Sequence, residues 1–186
     1  VIDPRVVSDF QAHLLGRFEL ALAWAVEADA KAHCALHGID PARATQEDYL
    51  AYLDKTFADA ESYHRFYLEF PVLGRWLAHV TDLLSEHGRE MIARLRADAD
   101  AVAEAFFGRP IDRVRSVRPG RSDMHAGARS VAFVDVTLAD GAEASFVYKP
   151  RCVRGEAALQ KLLARLRDEG VLDYATRAVL PRDGYG

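Results

Sequence analysis

Residues 118–150, RPGRSDMHAGARSVAFVDVTLADGAEASFVYKP, give the clearest indication of the secondary structure in the second half of the chain. Residues 131–138 and 144–148 are runs of β-branched and aromatic side chains, which are typical of strands. Residues 139–141, Ala-Asp-Gly, join the two runs with a sequence that favours a tight turn. The stretch therefore predicts a β-hairpin.

Charged residues stand at both ends of this predicted hairpin. Asp123 and His125 lie two residues apart before its first strand, and Lys149 ends its second strand. Side-chain alternation along a strand places Val147 and Lys149 on one face, so the lysine can leave the core at the strand end. Pro150 then prevents further pairing through its own amide. Together with a nearby arginine, these are groups that can bind phosphate.

The residues after the hairpin predict a helix and a further strand. Leucines recur at helical spacing over residues 156–168, and Gly170 follows at a position where helices commonly end. Residues 178–180 read as a short strand. A strand that ends on a lysine and leads at once into a helix is the layout of kinase-like lobes, where the lysine contacts nucleotide phosphates. In kinase-like lobes a glutamate from the next helix often orients that lysine. In this sequence Glu156 is the first carboxylate of the predicted helix.

The residues before the hairpin predict helices. Apolar residues recur at helical spacing from residue 10 until Gly38 supplies a stop. Thr45 can cap a second helix, with Asp48 at the third helical position. From residue 71 to residue 107 one apolar stripe continues without a change of register, which predicts a single long helix.

The change of pattern near residue 109, at Gly-Arg-Pro, predicts a boundary between two parts of the chain. Residues 1–108 form a helical region in this interpretation. Residues 109–186 form a small kinase-like lobe that holds the hairpin and the helix after it. The predicted class is therefore α+β, with a helical N-terminal layer followed by the lobe.

Composition excludes several classes of protein. The chain has 186 residues, of which 50% are hydrophobic and 28% charged, as in ordinary soluble domains. Its formal net charge of -4 provides no basic field, which argues against nucleic-acid binding. Cys34 and Cys152 are far apart and predict neither a disulfide framework nor a zinc site, which fits a reducing cytoplasm. No stretch approaches the ~20 consecutive apolar residues of a membrane span.

Each candidate residue also has an ordinary structural explanation. A strand-end lysine is usually solvated, and Asp123 and His125 read singly as a turn former and a surface histidine. Glu156 lies in a first helical turn, where the helix dipole alone favours an acidic residue. Arg129 and Arg151 fit phosphate contacts, and surface salt bridges are the plain alternative. The combination of these residues, more than any single one, points to phosphate chemistry.

Two motifs carry a resemblance to a known family. The sequence SDMHAGARSV (122–131), followed by FVYKPR (146–151), resembles the paired signature of the dehydratase domain of class II lanthipeptide synthetases, the LanM type. In that family Gly-Asp-x-His-x-x-Gly-Arg-Ser-Val precedes one strand and Tyr-Lys-Pro-Arg-Ser ends the next. FPVLGRWL (70–77), RLRADADAVAEAFFG (94–108) and LPRDGYG (180–186) are also similar to family sequences. Ser122, Ala128 and Cys152 depart from the pattern, whereas its charged residues are kept.

The resemblance implies an enzyme that uses ATP and Mg²⁺ to phosphorylate Ser and Thr of a precursor peptide. The same enzyme then eliminates phosphate to leave dehydroamino acids. The catalytic residues that it implies are Asp123, His125 and Lys149. The residues that it implies for phosphate or nucleotide binding are Arg129, Ser130, Arg151 and Glu156.

The implied partners are the precursor peptide and the remainder of a cytoplasmic synthetase chain. We read the sequence as a piece of that synthetase and expect the piece alone to be inactive, because it shows no catalytic loop. The alternative is a non-catalytic module that binds the leader part of the precursor peptide. In that case the Asp, His and Lys residues are only structural.

Overall fold

The computed structural model describes residues 1–186, apart from the side chain of Ala126. The α-helices are α1 Arg5–Leu36, α2 Gln46–Thr56, α3 Ala60–Glu69, α4 Pro71–Ala97, α5 Ala99–Val102 and α6 Arg154–Asp168. The strands are β1 Ile111–Arg118, β2 Ala132–Leu138 and β3 Glu143–Tyr148. The helices mostly precede the strands, so the predicted α+β class is confirmed. Within the described residues, none of the helices combines the length and the apolar character needed to cross a membrane.

The chain divides into two compact units. Val1–His13 and Leu83–Gly186 form one, called here the sheet unit, and Leu14–Asp82 forms the other, called the helical unit. The sheet unit contains all three strands and every residue predicted to bind phosphate. The boundary predicted at residue 109 coincides with the change from helices to strands along the chain. The division into domains 1–108 and 109–186 itself stays a prediction.

The helical unit contains α2 and α3, each with a side-chain cap. The backbone N–H of Asp48 donates to Thr45 Oγ1 at 3.2 Å, and the Asp48 carboxylate accepts from the Thr45 backbone at 2.8 Å. This reciprocal pair confirms the start of α2 that the sequence predicts. Tyr52 of α2 is buried, and its hydroxyl donates to the Asp29 carboxylate at 2.8 Å, which satisfies its polar group.

The single helix predicted over residues 71–107 is wrong in its last third, where Asp98 interrupts it. The backbone of Asp98 has φ -101° and ψ 4°, and α5 and a π-helical turn, Ala103–Phe107, follow. The Asp98 carboxylate accepts hydrogen bonds from Arg182 Nε at 2.8 Å and from Tyr185 Oη at 2.6 Å. Apolar periodicity did not show this interruption, because the apolar stripe reports the buried face and continues past Asp98.

The sheet is antiparallel, with the strand order β1-β2-β3. β2 and β3 pair from Ala132 opposite Tyr148 to Thr137 opposite Glu143, which confirms the predicted hairpin.

β1 was not predicted from the sequence. Its pairing with β2 shifts register twice, so its apolar side chains recur every third residue rather than every second. This spacing hides the alternation that identifies a strand.

The core of the sheet unit joins the sheet to the start of α1 and to the C-terminal half of α4. Its buried members are Val6, Met91, Leu95, Val114, Val117, Ala132, Val134, Val136, Leu138 and Tyr148. The start of the chain is also tied to β1, because the Asp9 carboxylate accepts from the Val117 backbone at 2.9 Å and from Ser116 Oγ at 2.8 Å. This core holds β2 and β3 in place and thereby positions the end of β3.

After the hairpin, α6 confirms the helix predicted over residues 156–168. The short strand predicted over residues 178–180 is wrong, because these residues lie outside regular secondary structure. Just before them, the backbone N–H of Arg177 donates to Gln160 Oε1 on α6 at 2.8 Å. This contact joins the segment that leads into residues 178–180 to α6.

Candidate functional site

Lys149 follows the last residue of β3 and is joined to the first turn of α6 by an ion pair. Its Nζ lies 2.7 Å from Glu156 Oε2, and Arg151 donates to the other carboxylate oxygen of Glu156. The side chains of Lys149 and Glu156 are 32% and 33% exposed, so the pair is partly shielded from water but remains accessible. The hydrogen bond from Lys149, followed by that from Arg151, holds the pKa of the Glu156 carboxyl below its ordinary value. The carboxylate therefore stays ionised and keeps the lysine oriented.

The backbone of Lys149 is held by a segment from the far end of the chain. Its N–H donates to the carbonyl oxygen of Gly186 at 2.6 Å, and its own carbonyl accepts from the Gly186 N–H at 3.1 Å. A Cβ at Gly186 would overlap the side chain of Val153, so the close approach requires glycine. Lys149 is therefore fixed through both its backbone and its ammonium group.

A cavity of about 710 Å³ opens beside Lys149. Aromatic and aliphatic side chains line most of it, and the charged groups come from Lys149, Glu156 and Arg177. The principal lining residues are Phe106, Phe107, Phe146, Val147, Val153, Leu159, Val179 and Leu180. An apolar pocket with a few charged groups at one side is typical of sites for small organic ligands that carry an anionic group.

The other predicted residues lie in the loop between β1 and β2. Asp123 and His125 are exposed, and the His125 backbone N–H donates to the carbonyl of Arg129 at 2.9 Å across a short 3₁₀ turn. Ser130 is fully buried, and its Oγ accepts from the Gly120 backbone at 2.9 Å, which closes the base of the loop. None of the described side chains that line the cavity comes from this loop. The structure thus brings Lys149 together with Arg151 and Glu156, and it places the loop residues in a separate group.

Sequence reasoning missed Glu90 of α4, which binds the loop arginine. Arg129 donates to Glu90 through Nε at 3.0 Å and through Nη2 at 3.3 Å, and Arg94 lies 2.6 Å from the same carboxylate. The spacing of Glu90 and Arg94 by four residues is a recognisable helical signal. The contact between Glu90 and Arg129 has no recognisable sequence spacing, because the two residues are 39 positions apart.

Carboxylates and histidines elsewhere do not extend the site. In the part of the chain that the structure describes, no three side chains of His, Cys, Asp or Glu lie close enough together to hold a metal ion.

Comparison with known proteins identifies the family. Residues 70–186, more than half of the chain, match the family model described as Domain of unknown function (DUF4135). The chain belongs to the DUF4135 family. This domain is known from lanthipeptide synthetase-like proteins. No curated protein matches the sequence. The DUF4135 match includes α4, the loop with Asp123 and His125, and the Lys149 ion pair.

Proposed function

We propose that this DUF4135 chain is part of a class II lanthipeptide synthetase and forms a portion of its dehydratase site. The observation that carries the proposal is the Lys149–Glu156 ion pair at the edge of the apolar cavity. A strand-end lysine paired with a carboxylate of the following helix is the arrangement that protein kinases use at nucleotide phosphates. Membership of a family known from lanthipeptide synthetase-like proteins supports the same substrate class.

The residues of the cavity fit a nucleotide. Phe106, Phe146 and Leu159 provide apolar surface for a flat base, and Lys149 and Arg177 provide positive charge for phosphates. When bound, ATP with Mg²⁺ supplies the phosphoryl group for transfer to a Ser or Thr hydroxyl. Phosphate leaves far more readily than hydroxide, so the same peptide residue is then ready for elimination to a dehydroamino acid.

Lys149 acts in this proposal by stabilising negative charge on the phosphoryl oxygens. Glu156 holds the Lys149 ammonium in one direction, so less reorganisation is needed when charge develops. Arg151, which shares the Glu156 carboxylate, adds a second cation at the same edge. Asp123 and His125 are proposed to contribute from the β1–β2 loop, in either the transfer or the elimination step. Arg129 and Ser130 then support that loop.

The alternative is a non-catalytic module that binds a leader peptide, in which Lys149 and its partners are structural.

Acylation of lysines in the full-length protein separates the two functions. With ATP and Mg²⁺, the dehydratase function predicts a several-fold slower acylation of Lys149, because bound phosphates cover its amine. Lys161, exposed on α6, is the matched control and should react at the same rate with and without nucleotide. Mass spectrometry of the digested protein measures both rates.

An equal rate of Lys149 acylation with and without ATP contradicts nucleotide binding at this site and favours the binding module. Slowing at both lysines indicates a general change of the protein or the reagent. Only selective slowing at Lys149 supports the proposed function.

A further inference from the structure

Glu90 binds two arginines, Arg94 of α4 and Arg129 of the β1–β2 loop. Its Oε1 is 2.6 Å from Arg94 Nη2, and its two oxygens accept from Arg129 at 3.0 and 3.3 Å. The Glu90 side chain is 26% exposed and that of Arg94 is 22% exposed, so the contacts are partly shielded from solvent. One carboxylate therefore holds two guanidinium groups, one of them by a paired, directional contact.

The Arg129 contact restrains the loop that carries Asp123 and His125. The carbonyl of Arg129 accepts from the His125 backbone at 2.9 Å, so the two ends of the turn are joined. Between them Gly127 has φ 73° and Ala128 has φ 55°, a left-handed conformation that costs an alanine energy. Such a turn persists only when surrounding contacts hold it, and the Arg129 side chain provides one through Glu90.

The Arg94 contact restrains the end of β3. Arg94 Nη1 donates to Tyr148 Oη at 2.7 Å, and its guanidinium lies 4.2 Å from the centre of the Tyr185 ring. Tyr148 is buried and directly precedes Lys149. Glu90 is thus connected through one arginine to the loop and through the other to the residue before Lys149.

The charges of this cluster are stable near neutral pH. The hydrogen bond from Arg129, together with the charge of Arg94, lowers the pKa of the Glu90 carboxyl. Burial lowers the pKa of His87, which lies next to the cluster, so this histidine remains neutral. The ion pairs therefore persist under the conditions in which an ATP-dependent enzyme works.

We infer that Glu90 is a positioning residue that sets the β1–β2 loop and the Lys149 end of β3 relative to each other. This inference rests on the proposed function, because the geometry it protects is that of the proposed phosphate site. Glu90 is not among the residues that line the cavity, and its contacts with Arg129 and Arg94 carry its effect toward the site.

The test is Glu90→Gln in the full-length protein, measured as ATP-dependent dehydration of a Ser/Thr precursor peptide. The expected result is a fall in kcat of about 10-fold, since misplacement of reacting groups mainly raises the barrier, with KM for ATP little changed. Glu143→Gln is the matched control, because Glu143 also pairs with an arginine, Arg115, at 2.7 Å but lies at the start of β3, away from the loop. It should leave kcat unchanged.

A double-mutant cycle distinguishes positioning from general support of the fold. Glu90→Gln and Arg129→Lys should each lower kcat, and the double variant should be no slower than the slower single variant, because Glu90→Gln already weakens the contact that Arg129→Lys changes. Should Glu90→Gln fail to fold, Arg129→Lys reports the same contact, since lysine keeps the charge but loses the paired geometry. An unchanged kcat then overturns the inference.

The outcomes separate the inference from the proposed function. An active wild-type protein with full kcat in Glu90→Gln, or with a loss that only follows a lower melting temperature, overturns the positioning role alone. Additive losses in the cycle overturn it as well. A wild-type protein that neither dehydrates the peptide nor protects Lys149 from acylation overturns both.

Discussion

Replacing Lys149 with methionine in the full-length protein should lower ATP-dependent phosphorylation of a Ser/Thr precursor peptide by at least about 10- to 100-fold. Methionine has a similar reach but no charge, so the change removes the 2.7 Å pair with Glu156 and, under the proposed function, the contact to phosphate. A charge-assisted contact contributes ~1.5 to 3 kcal/mol, and more where charge develops in the transition state. Peptide mass followed against time with ATP and Mg²⁺ measures the rate.

Folding should survive the Lys149→Met change, because Glu156 keeps Arg151 as a partner and a partly exposed pair contributes little to stability. The melting temperature is therefore expected to move very little. Lys161→Met on the exposed face of α6 is the control and should retain the wild-type rate.

The mass of the peptide also shows which step depends on Lys149. Each completed dehydration loses one water, whereas a stalled intermediate retains one phosphate. Accumulation of phosphopeptide alone would mean that Lys149 serves elimination more than transfer. Wild-type rates without accumulation would refute a functional role and leave Lys149 as an ordinary strand-end lysine.

Replacing Gly120 with alanine should destabilise the protein by about 2–4 kcal/mol, from backbone strain and from crowding together. Gly120 has φ +76°, and a Cβ there would lie 2.6 Å from His13 Cε1. The Gly120 N–H also donates to Ser130 Oγ at 2.9 Å, so relief of the overlap would disturb the base of the β1–β2 loop. Urea unfolding gives the change in free energy from the midpoint and the slope.

Gly141→Ala is the matched control for Gly120→Ala. Gly141 has a similar backbone, with φ +84°, but no described atom beyond its chain neighbours lies within 4 Å of the added Cβ. Its cost should be only the conformational one, about 1–2 kcal/mol. Equal losses in the two variants would show that His13 moves aside freely and that the crowding at Gly120 has no energetic effect.

Local patterns in the sequence were sufficient to predict several parts of the structure. The β2–β3 hairpin follows from two β-branched runs and a three-residue turn, and the start of α2 follows from Thr45 and Asp48. The Lys149–Glu156 pair was also predictable, because its members are seven residues apart across a short connection from strand to helix. In each case the interacting groups are close in the sequence, so propensity and spacing report them directly.

The tertiary structure decided the features that depend on distant residues. β1 escaped prediction because its irregular pairing with β2 is what turns every third side chain inward. The Asp98 carboxylate, at the interruption of the helix, binds Arg182 and Tyr185, which are 84 and 87 residues away in the sequence. Apolar spacing reports which face of an element is buried, but not which polar groups will meet.

The candidate site shows the same division. The sequence named the candidate residues for phosphate binding, placed Lys149 at a strand end and offered Glu156 as one possible partner for it. The pairing of Gly186 with the Lys149 backbone and the contact between Glu90 and Arg129 are visible only in the folded chain. A charged side chain can pair with many partners, and the packing of the core, which brings distant backbones together, selects among them.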